Sequence, residues 1–239
     1  WWETAPQMAL ANNSVCYTDK PDGETFLREW TSLVESKSGE RGIFNRTSAK
    51  EQAKKFGRRD ADHEFGTNPC SEIILRPYQF CNLTEVVIRE KDKYEDLKRK
   101  VMLATILGTA QSTLTKFPYL RKVWKTNTEE ERLLGVSLTG IMDNELTSGK
   151  KHGLDKTLEA LRQIAVDTNK EWSNIFGIPQ STAITCVKPS GTVSQLVDSS
   201  SGIHPRHSSF YIRTVRGDNK DPLTQFMIDS NIPSEPDVM

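Results

Sequence analysis

Apolar residues recur at helical spacing in several stretches of the chain, and short apolar, β-branched runs separate these stretches. The first pattern places side chains on one face of a helix, whereas the second is typical of strands. The predicted helices are residues 24–36, 48–57, about 93–116, about 128–146, 154–176 and 221–230, with a turn running into a short helix at 189–198; the predicted strands are 9–18, 72–77, 80–89, 181–188 and 209–216. Helices that alternate with strands predict an α/β fold.

Three helix boundaries carry explicit signals. Ser48 followed by Glu51 has the pattern of a capping box, so the second helix is predicted to begin there and to end at Gly57. Gly39 is predicted to end the first helix. The run NTEEE, residues 127–131, is predicted to cap the beginning of the fourth.

The charge balance of the 239 residues excludes two classes of partner. Lys and Arg total 32, as do Asp and Glu, so no net charge favours nucleic acid or a membrane surface. No apolar run approaches the ~18 residues of a membrane span, and no signal peptide opens the chain. Because the first residue is Trp1, we expect a chain cut from a longer one, or processed.

The cysteines indicate a reducing compartment. Four of them, at positions 16, 70, 81 and 186, are too few and too scattered for a secreted disulfide scaffold. A cytosolic setting is therefore expected. Cys16 and Cys186 lie in apolar contexts and are predicted to be buried and inert. The four histidines are interpreted as solvated or structural, and no Cys/His spacing predicts a metal site.

The stretch NPCSEIILRPYQFC, residues 68–81, concentrates reactive side chains. Pro69 disfavours the helical region at Asn68, and in an extended segment Asn68, Cys70 and Glu72 would share one face. An amide, a thiol and a carboxylate so placed can act on one small substrate. The alternative is a buried strand cysteine, with Glu72 exposed or paired to an arginine.

Cys81 adds a second thiol after a short turn. The RPYQ segment is short enough for the chain to double back, which could bring Cys81 near Cys70. A thiol pair beside a carboxylate indicates redox chemistry, because forming a disulfide delivers two electrons. The sequence leaves open whether Cys81 pairs with Cys70 or with a residue outside this chain.

A second constellation lies at KPSGTVSQL, residues 188–196, between a predicted strand and a short helix. Gly191 permits close backbone approach to a ligand, Ser190, Thr192 and Ser194 offer hydroxyls, and a helix start offers unpaired N–H groups to an anion. The pattern predicts a phosphate site. An ordinary capped helix start explains the same residues equally well.

Three motifs together resemble the catalytic chain of ribonucleotide reductases. NPCSEI…FCNLTEVV, ERLLGVSLTGIMD and KPSGTVSQLVDSSSGIHPR occur in the family's order, and the resemblance is closest to the monomeric, adenosylcobalamin-dependent ribonucleoside-triphosphate reductases. It implies that residues 1–239 form the later part of a ten-stranded α/β barrel domain with a central finger loop. On that loop Asn68 to Glu72 would lie at the tip, still extended.

The resemblance also implies a role for each matching residue. Cys70 matches the thiyl radical position, Glu72 the base for the ribose 3′-hydroxyl, Asn68 the amide that binds the substrate hydroxyls, and Cys81 one of two reducing thiols. The loop that holds the substrate phosphates is matched by Ser190, Gly191, Thr192 and Val193. Adenosylcobalamin, a ribonucleoside triphosphate and thioredoxin or a similar dithiol are the implied cofactor, substrate and reductant.

The chain departs from the family pattern in its cysteines. The family's partner of Cys81 lies well upstream and has no match here, so the upstream part of the same enzyme is an expected partner. Two alternatives stay open. One is a reductase chain whose radical comes from a separate metal-containing subunit, and the other is a non-catalytic nucleotide-binding fragment.

Overall fold

The computed structural model describes residues 2–5, 7–8, 11–37 and 40–236. The chain divides into two compact units, one up to Arg206 and one from His207, and each is described by itself. The strands are β1 (Ser14–Tyr17), β2 (Gly42–Asn45), β3 (Gly66–Thr67), β4 (Ile74–Leu75), β5 (Asn82–Val87) and β6 (Leu134–Thr139). The helices are α1 (Gly23–Ser36), α2 (Arg46–Lys54), α3 (Tyr94–Gln111), α4 (Lys122–Glu131), α5 (Leu154–Phe176), α6 (Val193–Leu196) and α7 (Pro222–Asp229).

The centre of the first unit is the parallel pair β5–β6. Asn82 pairs with Leu134, and the register continues to Val87 opposite Thr139. The predicted strand at 181–188 joins β6 only through a short bridge, in which Val136 N donates to Ile184 O at 2.8 Å and Cys186 N to Val136 O at 3.1 Å. Parallel strands linked through helices confirm the predicted α/β character.

One face of this sheet packs against α3 and α5. Alternate residues of β5 and β6 point toward the helices, as the two-residue period of a strand requires. The buried apolar cluster consists of Val86, Ile88, Leu97, Val101, Leu134, Val136, Leu161, Ala165 and Ile184. The opposite face, which carries Leu83, Glu85 and Gly135, is left for the candidate site.

A second parallel pair, β1–β2, is linked by α1. The predicted helix at 24–36 is confirmed, and Asp22 caps it by accepting the Thr25 N–H at 2.8 Å. Its buried residue is Glu29, which pairs with Arg41 at 2.6 Å. The predicted stop at Gly39 lies outside the described residues.

The predicted capping box at Ser48 is wrong. Helix α2 begins at Arg46, because the side chain of Asn45 accepts the Ser48 N–H at 3.0 Å and so acts as the N-cap. Ser48 therefore lies inside the first turn. Asparagine caps a helix as well as serine does, and the sequence offered both.

The predicted helix over about 128–146 is also wrong. NTEEE ends α4 instead of beginning a helix, and Arg132 follows in the left-handed region with φ 46°. The apolar run after it is β6, whose residues are buried almost without interruption. A parallel strand covered on both faces has no alternating pattern, so its sequence resembles a buried helix.

The second unit contains α7, capped by the Asp221 carboxylate, which accepts the Leu223 N–H at 2.9 Å. The predicted helix at 221–230 is confirmed. The predicted strand at 209–216 is absent, because no strand among the described residues pairs with it, and Phe210 and Ile212 are 92% and 98% exposed. Apolar, β-branched residues do not form a strand without a partner to complete the hydrogen-bond ladder.

No helix among the described residues is long and apolar enough to cross a membrane. The strands pair two by two in three small sheets within the described part of the chain. The expected ten-stranded barrel therefore stays a prediction.

Candidate active site

The stretch from Asn68 to Ile73 is the connection of a β-hairpin, which we call the finger hairpin, residues 66–75. Strands β3 and β4 are antiparallel, with Gly66 opposite Leu75 and Thr67 opposite Ile74. A turn closes it: Ser71 N donates to Asn68 O at 3.0 Å, and Ser71 has φ 62°. Cys70 is exposed at the tip. The expected extended conformation is wrong, because this turn replaces the alternation of an extended chain.

The turn nevertheless brings Asn68 and Glu72 into contact. Asn68 Nδ2 donates to Glu72 Oε2 at 2.5 Å, while Asn68 Oδ1 accepts the Ile73 N–H at 3.0 Å. The Glu72 side chain is only 1% exposed, and its other oxygen lies 3.9 Å from Lys188 Nζ. Glu72 is therefore neither exposed nor paired to an arginine. It is a buried carboxylate beside an amide and an ammonium.

A buried polar network holds the base of the finger hairpin. Arg59 donates to Glu131 at 2.9 and 2.8 Å, and its Nη1 donates to Ile74 O at 2.8 Å. Gln79 donates to the same carboxylate, and the guanidinium lies 4.6 Å from the centre of the Phe65 ring. The Arg59 and Glu131 side chains are 4% and 5% exposed. The sequence analysis missed this network, since nothing in the local pattern relates residues so far apart in the chain.

Arg76 and Asn127 extend the attachment to α4. Arg76 donates to Asn127 Oδ1 at 2.9 Å and to Glu130 at 2.7 Å, and Asn127 Nδ2 donates to Pro77 O at 2.8 Å. The finger hairpin is thus fixed at its base by both charged and neutral hydrogen bonds, while its tip carries Cys70.

Cys81 lies just before β5, in a buried position near Glu72 and Cys186. Burial raises the pKa of the Cys81 thiol far above its usual range, and the neighbouring Cys186 and Glu72 raise it further. Burial likewise raises the pKa of Cys186 to about 12, again with a contribution from Glu72. Both thiols are therefore held in the protonated form at neutral pH.

Cys186 belongs to the same face of the sheet. A side chain at Gly135 would place its Cβ 3.1 Å from Cys186 Sγ, 2.5 Å from Leu83 and 3.0 Å from Ile73 of the finger hairpin. Cys186 is half-buried among groups of the site, so its predicted inertness omitted this neighbourhood. The prediction that Cys16 is buried is wrong: it is exposed, because β1 lies at the surface of the small β1–β2 sheet.

The second constellation forms a strained loop. Ser190 has φ 68° and Gly191 φ 58°, and α6 follows as a single turn. Ser190 is 2% exposed, and its Oγ is buried without a hydrogen-bond partner among the described residues. Gly191, Thr192 and Val193 are exposed. The loop thus presents solvent-accessible backbone beside a buried hydroxyl with unused hydrogen-bonding capacity.

The following loop supports this one. Ser201 Oγ donates to Pro189 O at 2.6 Å, and a Cβ at Gly202 would lie 2.7 Å from Lys188 O. Such close backbone approach leaves no room for a side chain at Gly202. We call residues 188–193 the hydroxyl loop.

Known proteins similar to this chain agree on one activity. An adenosylcobalamin-dependent ribonucleoside-triphosphate reductase of Lactobacillus gasseri is 30% identical over 95% of this chain and 34% of its own length. A reductase of the same name from Lactobacillus delbrueckii subsp. bulgaricus is 31% identical over 69% of this chain and 25% of its own. No protein-family model matches.

A solved structure titled as a B-12 dependent, class II ribonucleotide reductase superposes with a TM-score of 0.51 at 27% identity. The superposition covers 61% of this chain and 23% of that one. The chain belongs to the class II ribonucleotide reductase family. This class II chain spans about a third of the length of the Lactobacillus gasseri reductase, so the activity of the whole protein is taken up as a proposal below.

The described residues of this class II chain do not by themselves hold a corrin cofactor. Of the two grooves that the structure shows, one runs along β5 and α3 and the other is lined by residues between Tyr17 and Thr47, and neither contains Cys70. Within the described residues no group of three or more His, Cys, Asp or Glu side chains is placed to bind a metal ion. No chemical step is therefore derived through either group.

Proposed function

We propose that this chain carries part of the active site of an enzyme that reduces ribonucleoside triphosphates to 2′-deoxyribonucleotides. The observation that carries the proposal is the finger hairpin, which presents Cys70 at its tip beside the preformed, buried Asn68–Glu72 pair. The names of the similar reductases supply the reaction class. The completed fold is proposed to be the ten-stranded barrel, with the finger hairpin inside it.

In this mechanism Cys70 begins and ends the reaction. A thiyl radical on Cys70 takes the hydrogen from C3′ of the ribose and becomes a thiol. Glu72 accepts the 3′-hydroxyl proton, while Asn68 is proposed to bind the substrate hydroxyls. Because the carboxylate is buried, water does not compete for that proton. Return of a hydrogen atom to C3′ restores the thiyl radical.

The reducing equivalents come from a pair of thiols. The 2′-hydroxyl leaves as water after receiving a proton, and Cys81 with a second thiol supplies two electrons and becomes a disulfide. The raised pKa of Cys81 supports this role, because a thiol that stays protonated can deliver hydrogen to the sugar. The second thiol is proposed to come from the upstream part of the enzyme.

The hydroxyl loop is proposed to hold the substrate phosphates through Ser190, Gly191, Thr192 and Val193. The unpartnered, buried Ser190 hydroxyl supports this assignment, since a buried donor without a partner is unfavourable unless a ligand accepts from it. Thioredoxin or a similar dithiol would reduce the disulfide again in a cytosolic setting. Adenosylcobalamin is the proposed radical source, and the names of the relatives favour it over a metal-containing subunit.

The test is Cys70→Ser in the full-length protein, supplied with a ribonucleoside triphosphate, adenosylcobalamin and a dithiol. We expect no deoxynucleotide, because a serine O–H is too strong to yield its hydrogen in place of the thiol, while nucleotide binding is retained. The exposed Cys16 provides the matched control, and Cys16→Ser should turn over normally. Deoxynucleotide formation by Cys70→Ser would refute the assignment.

A further inference from the structure

We infer that Lys188 is a positioning residue that keeps Glu72 ionised and joins the hydroxyl loop to the finger hairpin. The inference rests on the proposed function, because it deepens the role assigned to Glu72. The observation behind it is the juxtaposition of Lys188 Nζ and Glu72 Oε1 at 3.9 Å across two segments that are distant in the sequence.

The first step is the environment of Glu72. A carboxylate that is 1% exposed loses most of its hydration and favours the neutral, protonated form unless a cation or hydrogen-bond donors compensate. Asn68 supplies one donor, but it is neutral. A base must be ionised before the substrate arrives, so the site requires a compensating positive charge.

The second step is the identity of that charge. Arg59 is the basic group on the hairpin's other side, and Glu131 already binds it in a two-pronged pair. The other titratable groups on this side of the sheet, Cys81, Cys186 and Glu85, are neutral thiols or a further carboxylate. Lys188 is therefore the cation that the structure places against Glu72.

The third step is the position of Lys188 in the chain. It directly precedes Pro189 and Ser190 of the hydroxyl loop, and its backbone oxygen lies against Gly202, where no side chain fits. Its backbone is thereby located, while its side chain is 24% exposed and its ammonium lies slightly beyond hydrogen-bond distance of Glu72. The conformation of the hydroxyl loop thus sets the distance between the ammonium and the base.

A lysine that only bound phosphate would behave differently. Its removal would raise KM for the nucleotide and leave the pH dependence of kcat unchanged. Removal of a cation that keeps the base ionised leaves a buried, unpaired carboxylate, which favours protonation. In that case kcat falls most at low pH and recovers as the pH rises.

The experiment compares Lys188→Met, Lys188→Arg and wild type in the full-length enzyme, with kcat and KM measured between pH 6 and 9. For Lys188→Met we expect the acid limb of kcat to move up by about one pH unit, since an opposite charge at this range changes carboxyl ionisation by about 1–3 units. Lys188→Arg keeps the charge and should retain the wild-type limb. Lys151, paired with Glu145 at the surface, is the matched control, and Lys151→Met should change nothing.

An active Lys188→Met enzyme with an unshifted acid limb would overturn the inference, whether or not KM changes. Should Lys188→Met fail to fold, Lys188→Gln against Lys188→Arg decides the same question, because both keep a long polar side chain and only one keeps the charge. Absence of deoxynucleotide from the wild-type enzyme would instead refute the proposed function itself.

Discussion

The two segments that meet at Glu72 are held in opposite ways. The finger hairpin is anchored by Arg59 and Glu131 at its base and by the Asn68 amide at its tip, so its buried polar atoms have protein partners. The hydroxyl loop has two residues in the left-handed region and a buried Ser190 hydroxyl without a partner. One segment satisfies its hydrogen bonds internally, and the other leaves capacity unused.

This difference separates a positioned reactive group from a ligand-binding surface. Chemistry at Cys70 requires a fixed geometry, which a charged network provides at the expense of desolvating its ions. Ligand binding requires donors that the folded chain has not already used. The contrast therefore supports assigning the chemistry to the hairpin and the phosphate contacts to the hydroxyl loop.

The largest effect is expected from breaking the hairpin's anchor. Glu131→Ala leaves the Arg59 guanidinium buried without its partner, which should lower the free energy of unfolding by about 3–5 kcal/mol. Thermal melting and amide exchange at Ser71 and Ile73 would measure the loss. Glu130→Ala is the control, because the Glu130 side chain is 53% exposed and its pair with Arg76 should contribute less than about 1 kcal/mol. Equal losses in the two variants would contradict a special role for the buried pair.

A smaller and opposite effect is expected in the hydroxyl loop. Ser190→Ala removes a buried hydroxyl that has no partner, so the ligand-free protein should lose no stability. Nucleotide affinity should fall about 2- to 10-fold, the equivalent of one hydrogen bond of about 0.5–1.5 kcal/mol. Binding titrations with melting curves would separate the two quantities.

Ser194→Ala is the matched control for that prediction. Its hydroxyl donates to Gly191 O at 3.2 Å, so its loss should lower stability without nucleotide by about 1 kcal/mol. If Ser190→Ala destabilises the empty protein as Ser194→Ala does, the Ser190 hydroxyl has a partner in solution and the contrast between the segments fails.

The smallest effect concerns reactivity alone. A raised pKa means that the thiol persists up to a higher pH, and only the thiolate reacts with an alkylating agent. With a pKa of about 12, Cys186 should be labelled by iodoacetamide at pH 8 about a thousandfold more slowly than an ordinary exposed thiol. Cys81 should be slower still.

Cys16 and Cys70 are exposed and serve as internal references in the same digest. Labelling of all four cysteines at similar rates would show that the buried side of the sheet is open in solution. A dominant Cys70–Cys81 disulfide after mild oxidation would separately contradict the proposed radical role, since that role requires a free thiol at Cys70.

Local signals predicted some elements well and others badly for identifiable reasons. The 3.6-residue period over 154–176 predicted α5 with the observed bounds, because one face of that helix packs on the core and the other faces solvent. The same method misread β6, because a strand buried on both faces carries no period. The run at 209–216 has strand-forming residues but no pairing partner among the described residues.

The sequence by itself determined the chemistry that is available: a thiol, an amide and a carboxylate within five residues, a Ser-Gly-Thr turn, and family membership through their order along the chain. Tertiary structure alone decided that a turn joins Asn68 to Glu72, that Arg59 reaches Glu131, and that Lys188 and Cys186 approach the finger hairpin. The physical reason is the range of the interactions. Backbone propensity acts over a few neighbouring residues, whereas burial and ion pairing join groups that only the fold brings together.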